Sequence, residues 1–90
     1  MKIKKVIKGS SFNRAFKKLC SQNSNFLELF QVFFRQFALN PKSPKFQVHK
    51  LKGDLKGCYA AKIEYDLRLI FSYKNEEITL IDIGTHDAVY

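Results

Sequence analysis

The sequence is poor in the residues that make up common metal and cofactor sites. It contains two cysteines, Cys20 and Cys58, and two histidines, His49 and His86, and it has no tryptophan. The cysteines are far apart and match no zinc-binding spacing, so we expect both to be reduced and we expect no metal or cofactor. A glycine-rich phosphate loop is also missing, and no cluster of carboxylates would hold magnesium.

Long apolar runs are missing as well. No segment approaches the ~20 apolar residues of a membrane span, and the start M-K-I-K-K-V-I-K has no apolar core of a signal peptide. We therefore expect a cytoplasmic protein. A length of 90 residues with 46% apolar content allows one domain, residues 1–90, with a modest core.

Acidic residues are scarce beside basic ones. The chain has 8 Asp and Glu against 16 Lys and Arg, a net charge of +8. This excess favours an anionic partner such as nucleic acid, an acidic protein or an anionic membrane surface. Many small domains are basic for solubility alone, so the charge leaves the class of partner open.

The first part of the chain predicts a strand and a helix. Residues 2–8 read as a short strand with imperfect alternation. Ser10 and Ser11 are expected to cap the helix that follows, because a serine hydroxyl accepts from the N–H groups of a first turn. Apolar residues at helical spacing over residues 12–19 make this helix amphipathic.

A second helix is predicted over residues 26–39. Asn25 and Glu28 have the spacing of a capping box, and Pro41 ends the helix because a residue before proline is pushed out of the helical region. The apolar stripe of this helix is unusually wide and predicts that the helix is largely buried. The residues that widen it are Val32, Phe34 and Leu39.

The longest irregular stretch is the basic segment 41–57, with two prolines and two glycines. We expect a loop with a short extended piece near residues 46–48. A loop this long in a small domain is usually functional or disordered, and its interleaved apolar residues argue for an ordered one.

A three-stranded meander is predicted over residues 58–64, 67–73 and 78–83, with the last strand buried on both faces. The order of strand, two helices and antiparallel meander packed on the helices makes the fold class α+β. A turn near Asp66 gives a register in which Lys62 lies across from Arg68, and a bound phosphate would relieve the repulsion of these like charges. The expected pairs are Ile63 with Leu67, Ala61 with Leu69, and Tyr59 with Phe71.

The few reactive side chains suit acid–base chemistry on an anion. Metal-free RNA cleavage needs a base for the ribose 2′-OH, an acid for the leaving 5′-oxygen and cations for the charge on the phosphorane. His49 and His86 fit the proton steps, because histidine exchanges protons near neutral pH. Arg68 fits the phosphate, because its planar fork donates in pairs. Taken singly, each of these residues could equally be a solvated surface group.

Three motifs in the second half of the chain occur together in a familiar order. They are H-K-L-K-G-D-L-K-G, K-I-E-Y-D-L-R-L-I-F and I-D-I-G-T-H-D-A-V-Y. Over residues 49–90 the chain resembles the RelE/ParE superfamily of bacterial toxins, and within it the YafQ-like mRNA interferases. The resemblance implies a RelE-like fold and a ribosome-dependent endoribonuclease that cuts mRNA and is neutralised by a cognate antitoxin.

The resemblance also implies roles for particular residues. His49 matches the early catalytic histidine of the family, and His86 matches the histidine of its G-[ST]-H motif. Asp66 matches the acidic residue before the R-L-I strand, and is expected to orient a histidine or aid the base. Arg68 matches a strand arginine that contacts the scissile phosphate, and Tyr90 an aromatic that stacks on a base.

The chain departs from the family pattern at Lys62, where YafQ-like toxins often carry a histidine. We expect Lys62 to stabilise the phosphate instead, with Lys50 and Lys52 of the basic segment also binding RNA. An arginine that some relatives carry shortly before G-[ST]-H is Asp82 or Ile83 here.

Two other functions remain open from the sequence. ParE-type members of the superfamily share the fold and poison DNA gyrase without nuclease chemistry. A catalytically weakened member would bind RNA without cutting it. The two histidines favour the nuclease over the gyrase poison, because a protein that only binds has no need of paired proton-transfer groups.

Overall fold

The computed structural model describes residues 1–85, in which two helices cover one face of a five-stranded sheet. The strand order is β1-β5-β4-β3-β2, with β1 parallel to β5 and all other neighbours antiparallel. The predicted α+β architecture is confirmed, and β2 extends the predicted meander. The elements are β1 (Lys5–Lys8), α1 (Ser10–Gln22), α2 (Phe26–Leu39), β2 (His49–Lys50), β3 (Tyr59–Glu64), β4 (Leu67–Lys74) and β5 (Glu77–Thr85).

The basic segment between α2 and β3 contains more structure than its composition predicts. Short 3₁₀ turns at Pro44–Phe46 and Gly53–Leu55 flank β2. The prediction of an extended piece at residues 46–48 is wrong, because Phe46 belongs to the first 3₁₀ turn and Gln47 is left-handed, and the extended piece lies at His49–Lys50. No helix within residues 1–85 is long and apolar enough to cross a membrane.

Gly9, rather than a serine, is the N-cap residue of α1, and no side chain caps the helix. The prediction of a serine cap is therefore wrong. The backbone at Gly9 approaches β5 so closely that its N–H donates to the Leu80 carbonyl at 2.8 Å. A Cβ at this position would lie 2.9 Å from the same oxygen. Glycine is required because a side chain would separate the β1–α1 corner from β5.

The bounds of α2 are those predicted, but its start is built differently. Asn25 is the N-cap residue and makes no side-chain cap hydrogen bond, so the capping box is wrong. The Asn25 N–H donates instead to Oδ1 of Asn23 at 2.9 Å. Asn40, which precedes Pro41, has φ −149° and leaves the helical region as expected.

Phenylalanine rings fill the space between the helices and the sheet. Phe37 is fully buried, and its ring centroid lies 5.5 Å from that of Phe71 on β4 and 5.4 Å from that of Phe46. These edge-to-face contacts join α2 to both the sheet and the first 3₁₀ turn. The buried phenylalanines are Phe12, Phe26, Phe30, Phe33, Phe37, Phe46 and Phe71.

The outer side of α2 is not buried, contrary to the prediction. Val32 and Leu39 are 43% and 84% exposed, and Leu27 is 49% exposed. The apolar stripe is wider than the surface that the sheet and α1 can cover. Only the phenylalanine side of the stripe is fully enclosed.

The β3–β4 register is confirmed at the Tyr59–Phe71, Ala61–Leu69 and Lys62–Arg68 pairs. The predicted Ile63–Leu67 pair is wrong, because Glu64 lies opposite Leu67 and leaves Ile63 as an extra residue on β3. This bulge allows the Ile63 and Leu67 side chains to pack against the same core.

A second bulge interrupts β5. Leu80 lies opposite Phe71 and Asp82 opposite Ile70, so Ile81 has no opposite residue of its own. The extra residue shifts the alternation of side chains between the two faces by one residue. As a result the Ile83 side chain packs in the core and the Asp82 side chain does not. The strand is therefore less uniformly buried than predicted, since Ile81 and Asp82 are only half-buried.

Replacing Gly9 by alanine tests the contact between the β1–α1 corner and β5. We expect Gly9→Ala to lower the free energy of unfolding by about 1–3 kcal/mol, the usual cost of overpacking, since the new Cβ meets backbone that cannot move aside cheaply. Urea unfolding followed by circular dichroism measures the change. Ser10→Ala, at the exposed neighbouring position, is the control and should have little effect. Equal stability of Gly9→Ala and the parent would contradict this account of the corner.

Candidate functional site

The face of the sheet opposite the helices is here called the open face, and it contains three of the predicted site residues, His49, Lys62 and Arg68. Directly paired residues share a face, as do residues two apart along a strand. One row across the open face contains Lys62, Arg68 and Gly84. The neighbouring row contains His49, Ala60, Ile70 and Asp82.

Lys62 and Arg68 form a pair of opposed cations on this face, close to the β3–β4 turn. Both are half-buried. Within residues 1–85 the one ion pair is Lys4 with Glu76, at 3.6 Å, so no described carboxylate neutralises the two cations. Like charges in opposed positions destabilise a sheet, and partial burial reduces their screening by water. This site is therefore suited to an anion.

The Arg68 side chain also stabilises the β3–β4 turn by hydrogen bonds to its backbone. Its Nη1 donates to the carbonyls of Glu64, Tyr65 and Leu67 at 2.8, 3.1 and 3.3 Å. Neither Tyr65 nor Asp66 has a positive φ, so the turn does without the glycine that short hairpin loops usually contain. The N–H groups on Nε and Nη2 can still donate to an anion.

The backbone before β2 determines which nitrogen of His49 carries the proton. The exposed His49 ring places Nδ1 2.9 Å from the carbonyl oxygen of Gln47, which lies in the left-handed region with φ 46°. Since a carbonyl oxygen only accepts, Nδ1 carries the hydrogen, and the lone pair of the neutral ring is on Nε2. Strand spacings place the His49 Cα roughly 8 Å from that of Lys62.

Two cavities adjoin β2. His49 borders one of about 500 Å³, together with Lys42, Tyr59 and Tyr73. Lys50 and Lys52 border the other, also of about 500 Å³, with Lys56 and Cys58 among its other lining residues. Lys50 pairs with Tyr59 and Lys52 lies in the following loop, so neither belongs to the row that contains Lys62 and Arg68.

Asp66 lies at one end of the open face. It is exposed in the two-residue loop between β3 and β4, beside the residues held by Arg68. Thr85 pairs with Leu67, so the described residues stop at the same end of the sheet as the β3–β4 loop. His86 and Tyr90 lie outside the described residues. Within residues 1–85 no group of three histidine, cysteine or acidic side chains could hold a metal ion.

Sequence reasoning missed two features of this region. The predicted site does not include the exposed Tyr65 of the β3–β4 loop, although an aromatic residue in an otherwise polar turn is a visible signal. The contact from Gln47 to His49 was also missed. It depends on a left-handed conformation that a glutamine in a loop does not predict.

Comparisons with known proteins identify the family. A family model described as bacterial toxin of type II toxin-antitoxin system, YafQ, matches residues 4–90. No curated protein matches the chain. Among solved structures, the conserved hypothetical protein HP0894 of Helicobacter pylori is 30% identical with a TM-score of 0.70, over 92% of this chain and 94% of that one.

Structures from E. coli share the fold at lower identity. YafQ is 19% identical with a TM-score of 0.79, over 97% of this chain and 98% of that one. A chain of the DinJ-YafQ toxin-antitoxin complex is 18% identical with a TM-score of 0.76, over 100% of this chain and 99% of that one. Since the family model spans nearly the whole chain, the protein belongs to the YafQ family of bacterial type II toxins.

Proposed function

We propose that this toxin is an endoribonuclease that cleaves mRNA on the ribosome without a metal ion. The observation that carries the proposal is the Lys62–Arg68 pair on the open face, which no described carboxylate neutralises. Two half-buried cations with available N–H donors suit a phosphate group, and His49 with its lone pair on Nε2 lies on the same face.

In the proposed reaction, Nε2 of His49 accepts the proton of a ribose 2′-OH. The freed oxygen attacks the adjacent phosphorus, and the bond from phosphorus to the 5′-oxygen breaks. His86, assigned from the sequence, gives a proton to that leaving oxygen, so the products are a 2′,3′-cyclic phosphate and a 5′-hydroxyl. Lys62 and Arg68 stabilise the negative charge that builds on the phosphate.

The other proposed site residues surround this centre. Asp66 would orient a histidine or assist the base from the β3–β4 loop. Lys50 and Lys52 would hold the RNA backbone at the cavity beside β2, where Lys56 adds a further charge. Tyr90 is proposed, from the sequence, to stack on a base.

We further propose that a cognate antitoxin neutralises the protein. E. coli YafQ has been solved in complex with DinJ, and this protein belongs to the same family. A net charge of +8 favours an acidic partner surface. Translating ribosomes and mRNA, the proposed targets, place the activity in the cytoplasm.

Loss of either histidine should abolish toxicity. We expect His49→Gln and His86→Ala, expressed without antitoxin, to relieve growth arrest, because removal of a general acid or base lowers the rate about 10²–10⁴-fold. Primer extension on a reporter message measures cleavage directly. Lys17→Ala, at an exposed position on α1, is the matched control and should arrest growth like the parent.

Growth arrest by both histidine variants with intact messages would contradict the nuclease proposal. A supercoiling assay with purified DNA gyrase then tests the gyrase alternative. RNA binding by the parent with no cleavage on translating ribosomes would instead identify a catalytically weakened member.

Replacing Lys62 should change stability and activity in opposite directions. Lys62→Gln removes the repulsion with Arg68, so we expect the free energy of unfolding to rise by about 0.2–1 kcal/mol. Cleavage should fall roughly 10²-fold, because a charge that stabilises the transition state is lost. Urea unfolding and single-turnover cleavage on ribosomes measure the two effects.

Lys74→Gln is the matched control for this prediction. Lys74 lies on the same sheet but opposite Glu77, so its loss removes an attraction and should not raise stability. Cleavage by that variant should equal that of the parent. A Lys62→Gln variant that is less stable than the parent, or that cleaves as fast, would contradict the phosphate site.

A further inference from the structure

Tyr65 has the most exposed large apolar side chain in residues 1–85. It is 90% exposed, at the tip of the β3–β4 hairpin, and no ring contact within those residues involves it. Single exposed apolar residues are common and need no explanation by themselves. The remaining exposed large apolar residues lie on β1 and α2, none of them in the β3–β4 loop, and are Val6, Ile7, Leu27, Val32 and Leu39.

The backbone that carries Tyr65 is held in place. The Tyr65 carbonyl accepts from Nη1 of Arg68 at 3.1 Å, and the carbonyls of Glu64 and Leu67 accept from the same nitrogen. The loop therefore presents an exposed ring on a turn whose conformation is fixed. Fixing the backbone in advance reduces the entropy lost when the ring binds a ligand.

The location of the ring is the second part of the argument. The guanidinium that holds the Tyr65 carbonyl belongs to the Lys62–Arg68 pair, which no described carboxylate neutralises. Asp66 follows Tyr65 in the same loop. Proteins bind single-stranded nucleic acid by combining cations that contact the backbone with aromatic rings that stack on bases. The Lys62–Arg68 pair and the exposed Tyr65 ring offer both kinds of contact.

We propose that Tyr65 stacks on a nucleobase of single-stranded RNA, next to the phosphate held by Lys62 and Arg68. The inference rests on the proposed function for the identity of the RNA, and it adds a residue that positions the substrate. Stacking accepts any base, because every base has a π-face, but it favours the larger surface. We therefore expect a preference for a purine over a pyrimidine at this position.

The test measures binding in the absence of cleavage. Full-length protein is titrated into a fluorescent single strand that carries deoxyribose throughout, which cannot be cut because it has no 2′-OH. A second strand has the same backbone with its bases removed. Fluorescence anisotropy is measured for the parent, Tyr65→Ala and Tyr65→Phe, with Leu39→Ala as a control for loss of an exposed apolar side chain at a distant site.

We expect Tyr65→Ala to weaken binding of the strand with bases roughly 5- to 150-fold, the range equivalent to the ~1–3 kcal/mol of one stacked base. Binding of the strand without bases should not change. Tyr65→Phe, which keeps the ring, should bind both strands like the parent, and so should Leu39→Ala. The urea midpoint of all variants should match that of the parent, because both side chains are exposed.

Three results would overturn the inference. They are parental affinity of Tyr65→Ala for the strand with bases, an equal loss of affinity for both strands, and no binding of either strand by the parent. The assay involves no chemistry, so it is independent of the histidine variants. Intact messages in cells together with a base-dependent Tyr65 effect would disprove the nuclease and leave the stacking site standing.

Discussion

Burial of the phenylalanine core against one face of the sheet is the constraint on which the rest of the structure depends. Phe37 of α2 packs on Phe71 of β4, and β4 is the central strand. Successive side chains of a strand point to opposite faces, so a core containing Leu69 and Phe71 requires Arg68 and Ile70 to face the other way. A one-residue slip would bring Arg68 into the phenylalanine cluster, at a cost of several kcal/mol for an unpaired buried charge. The packing of the apolar core thus determines on which face of the sheet the charged residues of the proposed site lie.

The two bulges show how this constraint shapes the ends of the strands. The extra residue Ile63 lets the end of β3 and the start of β4 both pack against the core, although the turn between them contains neither glycine nor asparagine. The extra residue Ile81 shifts the phase of β5, so that Ile83 faces the core. Each bulge increases the local twist and bends its strand. Both lie in strands that lead to the end of the sheet next to the β3–β4 turn, where the proposed site is located. Arg68 then completes the turn with its three backbone hydrogen bonds.

Periodicity explains which parts of the molecule the sequence predicts. The bounds of α2 and the Tyr59–Phe71 and Lys62–Arg68 pairs follow from apolar spacing, because a period of 3.6 or 2 is a property of local sequence. The bulges interrupt that period, and their positions depend on the register with the neighbouring strand, which is not a property of local sequence. The exposure of Val32 and Leu39 depends on how much of α2 the sheet can cover. The hydrogen bonds from Arg68 to the β3–β4 turn could not be predicted either, because they depend on the path of the backbone through the turn and not on its composition.

The opposed cations illustrate how the proposed anion site conflicts with the stability of the sheet. Cross-strand pairs stabilise a sheet when their charges differ, and β4 has such a pair at Lys74 and Glu77. At Lys62 and Arg68 the same sheet keeps two like charges opposed. An acidic residue at either position would strengthen the sheet, but it would neutralise the attraction for a phosphate before any substrate arrived. At the proposed site, an anion bound between the two side chains would release this repulsion, and the released energy would add to the affinity for that anion. An acidic antitoxin surface would release the same repulsion, so occupation of one site by carboxylates or by phosphate offers a physical basis for competition between antitoxin and RNA.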